Sequence, residues 1–214
     1  MIKFTRDEVR DLVIAFIIIS LCFTILYARR DFNAAEAILP SVMVGVGSGF
    51  ILHELGHKLS SMHYGYWAEF KLSPKGLLVA LITSFFGFVF AAPGAVYTYA
   101  NYMDDRINGI ISIAGPVVNI ILALIFLAVC LAIYPTITPA DNTKVLIFVT
   151  CSLGFSINSY LATFNLIPVP PLDGSKVLTW NAGIWIVTIA IAGIMTVASM
   201  TYGTETIVRL ILGI

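Results

Sequence analysis

Residues Ala37 to His63 read AILPSVMVGVGSGFILHELGHKLSSMH, an apolar stretch that runs without a break into histidine and glutamate. A helix needs about 20 mostly apolar residues to cross a bilayer, and this stretch supplies them even though Pro40 falls in its first turn. It also carries His53, Glu54 and His57, and ionisable groups at membrane depth are costly enough to mark a functional site. Ser41, Gly45, Gly49, His53 and His57 recur at every fourth position, a slowly drifting stripe on one helix face. Small residues let helix backbones approach closely in lipid, so this helix is expected at the centre of a bundle.

The rest of the chain agrees with a membrane setting. Hydrophobic residues make up 59% of the 214 and charged residues 11%, where an ordinary globular domain has roughly 25% charged. Mean hydropathy is +0.95. The 12 basic and 12 acidic side chains cancel, leaving no basic surface to hold nucleic acid by counterion release; a nucleic-acid partner is excluded. Cys22, Cys130 and Cys151 all lie in apolar stretches and read as small buried hydrophobes.

Further apolar segments run from Leu12 to Ala28, Ile107 to Tyr134, Val145 to Ile167 and Val177 to Met200. A cleaved signal peptide is a poor account of the first, since charged residues rather than a small-x-small site follow it. Thr204 to Ile214 is too short to span unless it begins earlier or the sequence stops within a helix. Between the HELGH segment and Ile107 the period changes: Ala68, Phe70 and Leu72 alternate with Glu69 and Lys71, and Ser73-Pro74-Lys75-Gly76 reads as a turn, so a hairpin is expected. Leu77 to Ala92 is by length either a short spanning helix or membrane-immersed strands and a loop, and Ala95 to Tyr99 alternates again. The expected architecture is a polytopic α-helical membrane protein of about six transmembrane helices, with a small membrane-associated β element over about 66–103 between helices 2 and 3. It forms one membrane-embedded domain over 1–214. If Leu77 to Ala92 does not cross, Lys3, Arg6, Arg10, Lys58, Lys71, Lys75, Arg106, Lys176 and Arg209 share one side, and only Arg29, Arg30 and Lys144 fall on the other. The positive-inside rule then puts the N-terminus in the cytoplasm.

In His53-Glu54-Leu55-Gly56-His57 the histidines stand at i and i+4, which brings both imidazoles to one helix face at the separation a single zinc ion takes. Glu54, beside His53, can reach a water on that metal. A catalytic zinc usually takes three protein ligands and leaves one position for water, so a carboxylate, histidine or cysteine elsewhere is needed. Asp173 is the best candidate. It closes Asn165-Leu166-Ile167-Pro168-Val169-Pro170-Pro171-Leu172-Asp173-Gly174, whose prolines hold the chain extended, a backbone tolerated at membrane depth only where it is buried in protein or lines a wet cavity.

HELGH followed by NLIPVPPLDG resembles the site-2 protease family of intramembrane zinc metalloproteases, which pair H-E-x-x-H with N-x-x-P-x-P-x-L-D-G. The likeness covers about 38–176 and includes Gly115-Pro116-Val117-Val118-Asn119, similar to an element in the family's middle helix. It implies one zinc per chain held by His53, His57 and Asp173, with Glu54 as acid/base. It also implies strands beside the active site, one of them able to pair with an unwound substrate. Asn165 and Asn119 are candidates for substrate or transition-state support, although an asparagine in a bundle also simply bonds a neighbouring helix. The expected activity is hydrolysis of peptide bonds within or near a transmembrane segment of another protein, in the cell membrane; the sequence leaves the oligomeric state open. A metal transporter and a non-catalytic scaffold are the alternatives, disfavoured by the scarcity of other intramembrane polar residues and by the intact HELGH.

Overall fold

Capping side chains fix where the helices start. A computed structural model describes residues 4–29, 31–100, 102–138 and 140–214; Lys3, Arg30 and Asn101 lie outside them. Thr5 accepts a hydrogen bond from the Glu8 N–H at the start of α1 (Arg6–Ala28). Asp31 accepts from the Asn33 and Ala34 N–H groups at the start of α2 (Phe32–Val46). Asp104, Asp141 and Asn181 do the same for α5 (Asp105–Ile133), α6 (Asn142–Asn165) and α8 (Ala182–Leu212). Each short polar side chain satisfies an N–H group that has no partner within its own helix. The Asp31 cap starts the second helix at Phe32, ahead of the expected Ala37, so Pro40 is interior to it rather than in its first turn.

α2 passes through a single π-helical turn, Gly47–Ile51, into α3 (Leu52–His63). The three segments make one apolar span, Phe32–His63. Close glycine contacts put this span in the middle. A Cβ on Gly45 would lie 2.9 Å from Ile157 and 3.3 Å from the Gly154 backbone of α6, and one on Gly154 would lie 2.7 Å from the Phe126 ring of α5. The principal core joins α1, α2, α6 and the segment between α3 and α5 through Ile19, Phe23, Val46, Phe70, Leu77, Ile157 and Phe164. Cys22, Cys130 and Cys151 are buried and free, as small apolar fillers.

Among the described residues, five helices are long and apolar enough to cross a membrane, where the sequence predicts about six. The expected Val177–Met200 segment divides at Asn181, which ends α7 (Asp173–Trp180) and caps α8. The expected separate segment Thr204–Ile214 is the continuation of α8 beyond a kink at Gly203, whose φ of 74° and ψ of 155° only glycine adopts without strain.

The alternating stretch forms β1 (Trp67–Leu72), but the turn after it is not the tip of a tight hairpin. Ser73 caps α4 (Pro74–Ser84) by accepting from the Gly76 N–H, and Pro74 takes the first helical turn, where its missing N–H costs nothing. The partner strand is β2 (Gly94–Tyr99), antiparallel to β1 in a two-stranded sheet, with Leu72 opposite Gly94 and Trp67 opposite Tyr99. Because Leu72 and Gly94 are neighbours, the intervening segment returns to where it left. α4, with 11 residues, is about 16 Å long at 1.5 Å per residue, about half of a bilayer's hydrocarbon core. This geometry predicts that single cysteines placed at Lys75 and Tyr102 are labelled by an impermeant maleimide from the same face of sealed vesicles. Labelling from opposite faces would refute it.

Candidate metal centre

The π-helical turn ends just before HELGH, and α3 presents both imidazoles toward the start of α7. His53 Nε2 and His57 Nε2 are 3.0 Å apart. Asp173 Oδ2 lies 3.4 Å from the first and 3.1 Å from the second. His53 and His57 are almost fully buried and Asp173 nearly so.

Hydrogen bonds on the far side of each ring settle which nitrogens face inward. His57 Nδ1 lies 2.8 Å from the Ile111 carbonyl, which can only accept, so Nδ1 carries the proton. His53 Nδ1 lies 2.6 Å from Asn119 Oδ1. The Asn119 amide is oriented by its own donors, Nδ2 giving hydrogen bonds to the Gly49 carbonyl and to Asn158 Oδ1, both at 3.0 Å. Asn158 Nδ2 in turn donates to the Gly154 carbonyl at 2.9 Å. With both imidazoles neutral, both Nε2 atoms therefore present lone pairs to each other and to a carboxylate oxygen. Three acceptors converging with no donor among them repel one another, and two imidazole nitrogens with one carboxylate are the donor set that a tetrahedral zinc takes with one position left open. These are the groups among the described residues that could hold a metal, with ligand atoms all within 4.8 Å.

The backbone admits this convergence through two glycines. Gly174 brings the chain back onto the end of α6, where an added Cβ would stand 2.0 Å from the Leu166 carbonyl oxygen, so the residue after Asp173 can have no side chain. Gly115 of α5 passes directly over the imidazoles: a Cβ there would fall 2.5 Å from His57 Nε2 and 2.7 Å from His53 Nε2.

Glu54 is buried, and its Oε2 has no hydrogen-bond partner among the described residues. It lines a cavity of about 650 Å³ with the two histidines, Asp173, Asn165 and Gly94 to Thr98 of β2. Asn165 reaches that cavity but gives its Nδ2 hydrogen bond to Leu161 of its own helix at 2.9 Å. Asn119 does not reach it, being fully buried behind His53. Asn158, which the sequence reading passed over, completes the chain of amides. Its signal was the one that singled out Asn119: an amide in an apolar helix needs a partner.

No protein-family profile and no solved structure matches the chain. Three relatives do, each bearing the name "Putative zinc metalloprotease". MJ0611 of Methanocaldococcus jannaschii is 38% identical over 201 residues, 94% of this chain and 96% of its own. YwhC of Bacillus subtilis is 31% identical over 66% of this chain and 69% of its own. Rip2 of Mycolicibacterium smegmatis is 28% identical over 66% of this chain and 60% of its own.

Removing a ligand and disturbing its support should differ in degree. Asp173→Ala, like His53→Ala or His57→Ala, should abolish stoichiometric zinc, because two ligands do not complete the tetrahedron. Asn119→Ala should weaken zinc by about 10- to 100-fold, the usual cost of losing a group that orients a ligating histidine. Gly115→Ala should keep the helix, alanine being the better helix former, yet lower zinc retention against a competing chelator. Full zinc affinity in Asp173→Ala would remove that residue from the ligand set.

Proposed function

The chain belongs to the zinc metalloprotease family of these three relatives, and we propose that it is an intramembrane endopeptidase of the site-2 type, cutting within or near a transmembrane segment of another protein. The observation that carries this reading is the place of the ligand set. His53, His57, Asp173 and Glu54 share one cavity inside an apolar helix bundle, and β2 runs along its wall. A soluble peptide would not need a site so enclosed by apolar spans.

Zinc, when bound, supplies a Lewis acid and an acidified water. His53 and His57 would hold it through their Nε2 lone pairs, since Asn119 and the Ile111 carbonyl hold their Nδ1 protons. Glu54 lies outside the ligand set, in the same cavity. It takes a proton from the attacking water and returns it to the leaving amine. A peptide in a membrane helix hides its bonds, and unwinding it exposes N–H and C=O groups that lipid cannot satisfy. Pairing with β2 replaces those hydrogen bonds and lays the peptide beside Glu54. Asn165, on the same wall, is placed to meet the peptide. The reading takes one zinc per chain, a transmembrane protein as substrate and the lipid bilayer as surroundings, with the N-terminus in the cytoplasm as the basic residues favour. Transport would need a relay of further ligands, and among the described residues this is the only such group.

Purified chain in detergent should contain about one zinc and cleave a single-span test substrate in a chelator-sensitive manner. Glu54→Gln should keep the zinc and slow cleavage by at least about 100-fold, the lower end of what a general acid/base contributes. Near wild-type turnover in the zinc-loaded variant would assign proton transfer to another residue, and a zinc-loaded wild type that cuts no membrane substrate would overturn the reading.

A further inference from the structure

Glu8 and Lys58 form an ion pair, each only 1% exposed. Lys58 Nζ lies 2.7 Å from Glu8 Oε1 and 2.6 Å from Oε2. Lys58 follows His57 on α3, and Glu8 belongs to α1. The same Glu8 carboxylate accepts the backbone N–H of Phe70 in β1 at 3.2 Å. One turn along α1, Asp11 Oδ2 accepts the Leu72 N–H at 3.1 Å, while its Oδ1 is held by Arg10 at 2.8 and 3.0 Å. Thr5, just before α1, bonds the Glu69 side chain. Two carboxylates on α1 thus stand where the carbonyls of a third strand would stand, at alternate residues of the outer edge of β1.

That arrangement decides which edge of the sheet is open. In an antiparallel pair, alternate residues turn their backbone groups toward the partner strand and away from it. Phe70 and Leu72 face α1, so Glu69 and Lys71 carry the rungs to Tyr97 and Ala95 opposite them. On β2 the groups that face away from β1 are then those of Gly94, Val96 and Thr98, all three on the cavity wall. β1 is closed by charge, and the outer edge of β2 faces the cavity, where the Val96 N–H donates to the Glu54 carboxylate.

We propose that Glu8, Asp11 and Lys58 are positioning residues that fix the sheet against the metal-binding helix and so determine which peptide bond is presented to Glu54. Glu8 bonds both the residue after His57 and the edge of β1, so on the β1 side this carboxylate ties α3 to the sheet, as the Ser61–Thr98 hydrogen bond does on the β2 side. A strand keeps the same side chains on the same face only when it slips by two, so loosening the latch displaces the cut in that step. The inference rests on the endopeptidase reading and adds the origin of its register.

The test maps the cut bonds of a single-span substrate by mass spectrometry, using the full-length, zinc-loaded chain. Asp11→Ala removes one edge cap. The double variant Glu8→Gln/Lys58→Met removes the ion pair without leaving a buried charge unpaired, and keeps an oxygen for the Phe70 N–H. Both should retain wild-type zinc content and add cuts displaced by roughly two residues, whereas Asp11→Asn, which keeps the acceptor, should cut as the wild type does. Unchanged cut positions in Asp11→Ala and in the double variant overturn the proposal, as does an Asp11→Asn pattern identical to that of Asp11→Ala. A zinc-loaded wild type that cuts no membrane substrate would sink the endopeptidase reading instead. Amide exchange then decides the latch on its own. Loss of the Asp11 cap should make the Leu72 amide exchange about tenfold faster, and unaltered protection in Asp11→Ala would show that the carboxylate does not close the edge.

Discussion

Three lone pairs meet between α3 and α7, two from imidazoles and one from a carboxylate, inside an apolar bundle, with Lys176 Nζ 3.6 Å from the other carboxylate oxygen. Such a meeting is unfavourable by itself and becomes favourable around a cation, and the surrounding structure is organised to enforce it. The Ile111 carbonyl and Asn119 take the two Nδ1 protons, which removes the alternative tautomers in which one ring would simply bond the other. Asn119 cannot rotate to relieve the site, because its amide donors are committed to Gly49 and Asn158. The order therefore extends through three helices, from α3 to α5 to α6.

Small residues make that order possible. The ring nitrogens lie against Gly115, and Asp173 arrives only because Gly174 folds onto the Leu166 carbonyl. α2 and α6 touch at Gly45 and Gly154, which brings Asn158 close enough to orient Asn119. In lipid there is no hydrophobic force to press helices together, so close backbone approach and buried amide bonds supply the association. The residues that pack the bundle are thus largely those that aim the ligands.

The sheet has a different task from the bundle. Two strands alone are marginal in water, and here they are held between α1 and α3, by the carboxylates at β1 and by a hydrogen bond between Thr98 and Ser61 at 2.8 Å. One edge is satisfied by protein and the other borders the cavity. An unpaired strand edge is ordinarily a liability. On the proposed endopeptidase reading, it offers an unwound peptide the hydrogen-bonding surface which that peptide lacks in lipid.

Features with a local cause were legible in the sequence. Apolar length showed the spans, the i and i+4 spacing brought His53 and His57 to one face, and the costliness of Glu54 in an apolar helix made it a candidate. Asp173 stood out through its proline-rich loop and the likeness of its motif. Other features depended on which segments meet. Nothing local shows that β1 pairs with Gly94–Tyr99 beyond a helix instead of turning at Ser73, because Ser-Pro begins a helix as readily as a turn. The Thr204–Ile214 segment joined α8 because Gly203 bends the helix without ending it. Asn119 serves His53 rather than the cavity, and Glu8, Asp11 and Lys58 look in sequence like ordinary flanking charges of a span. Periodicity reports the face a residue occupies on its own element, whereas a hydrogen bond between helices depends on how closely and at what offset their backbones pack, and in this chain only the assembled bundle determines that.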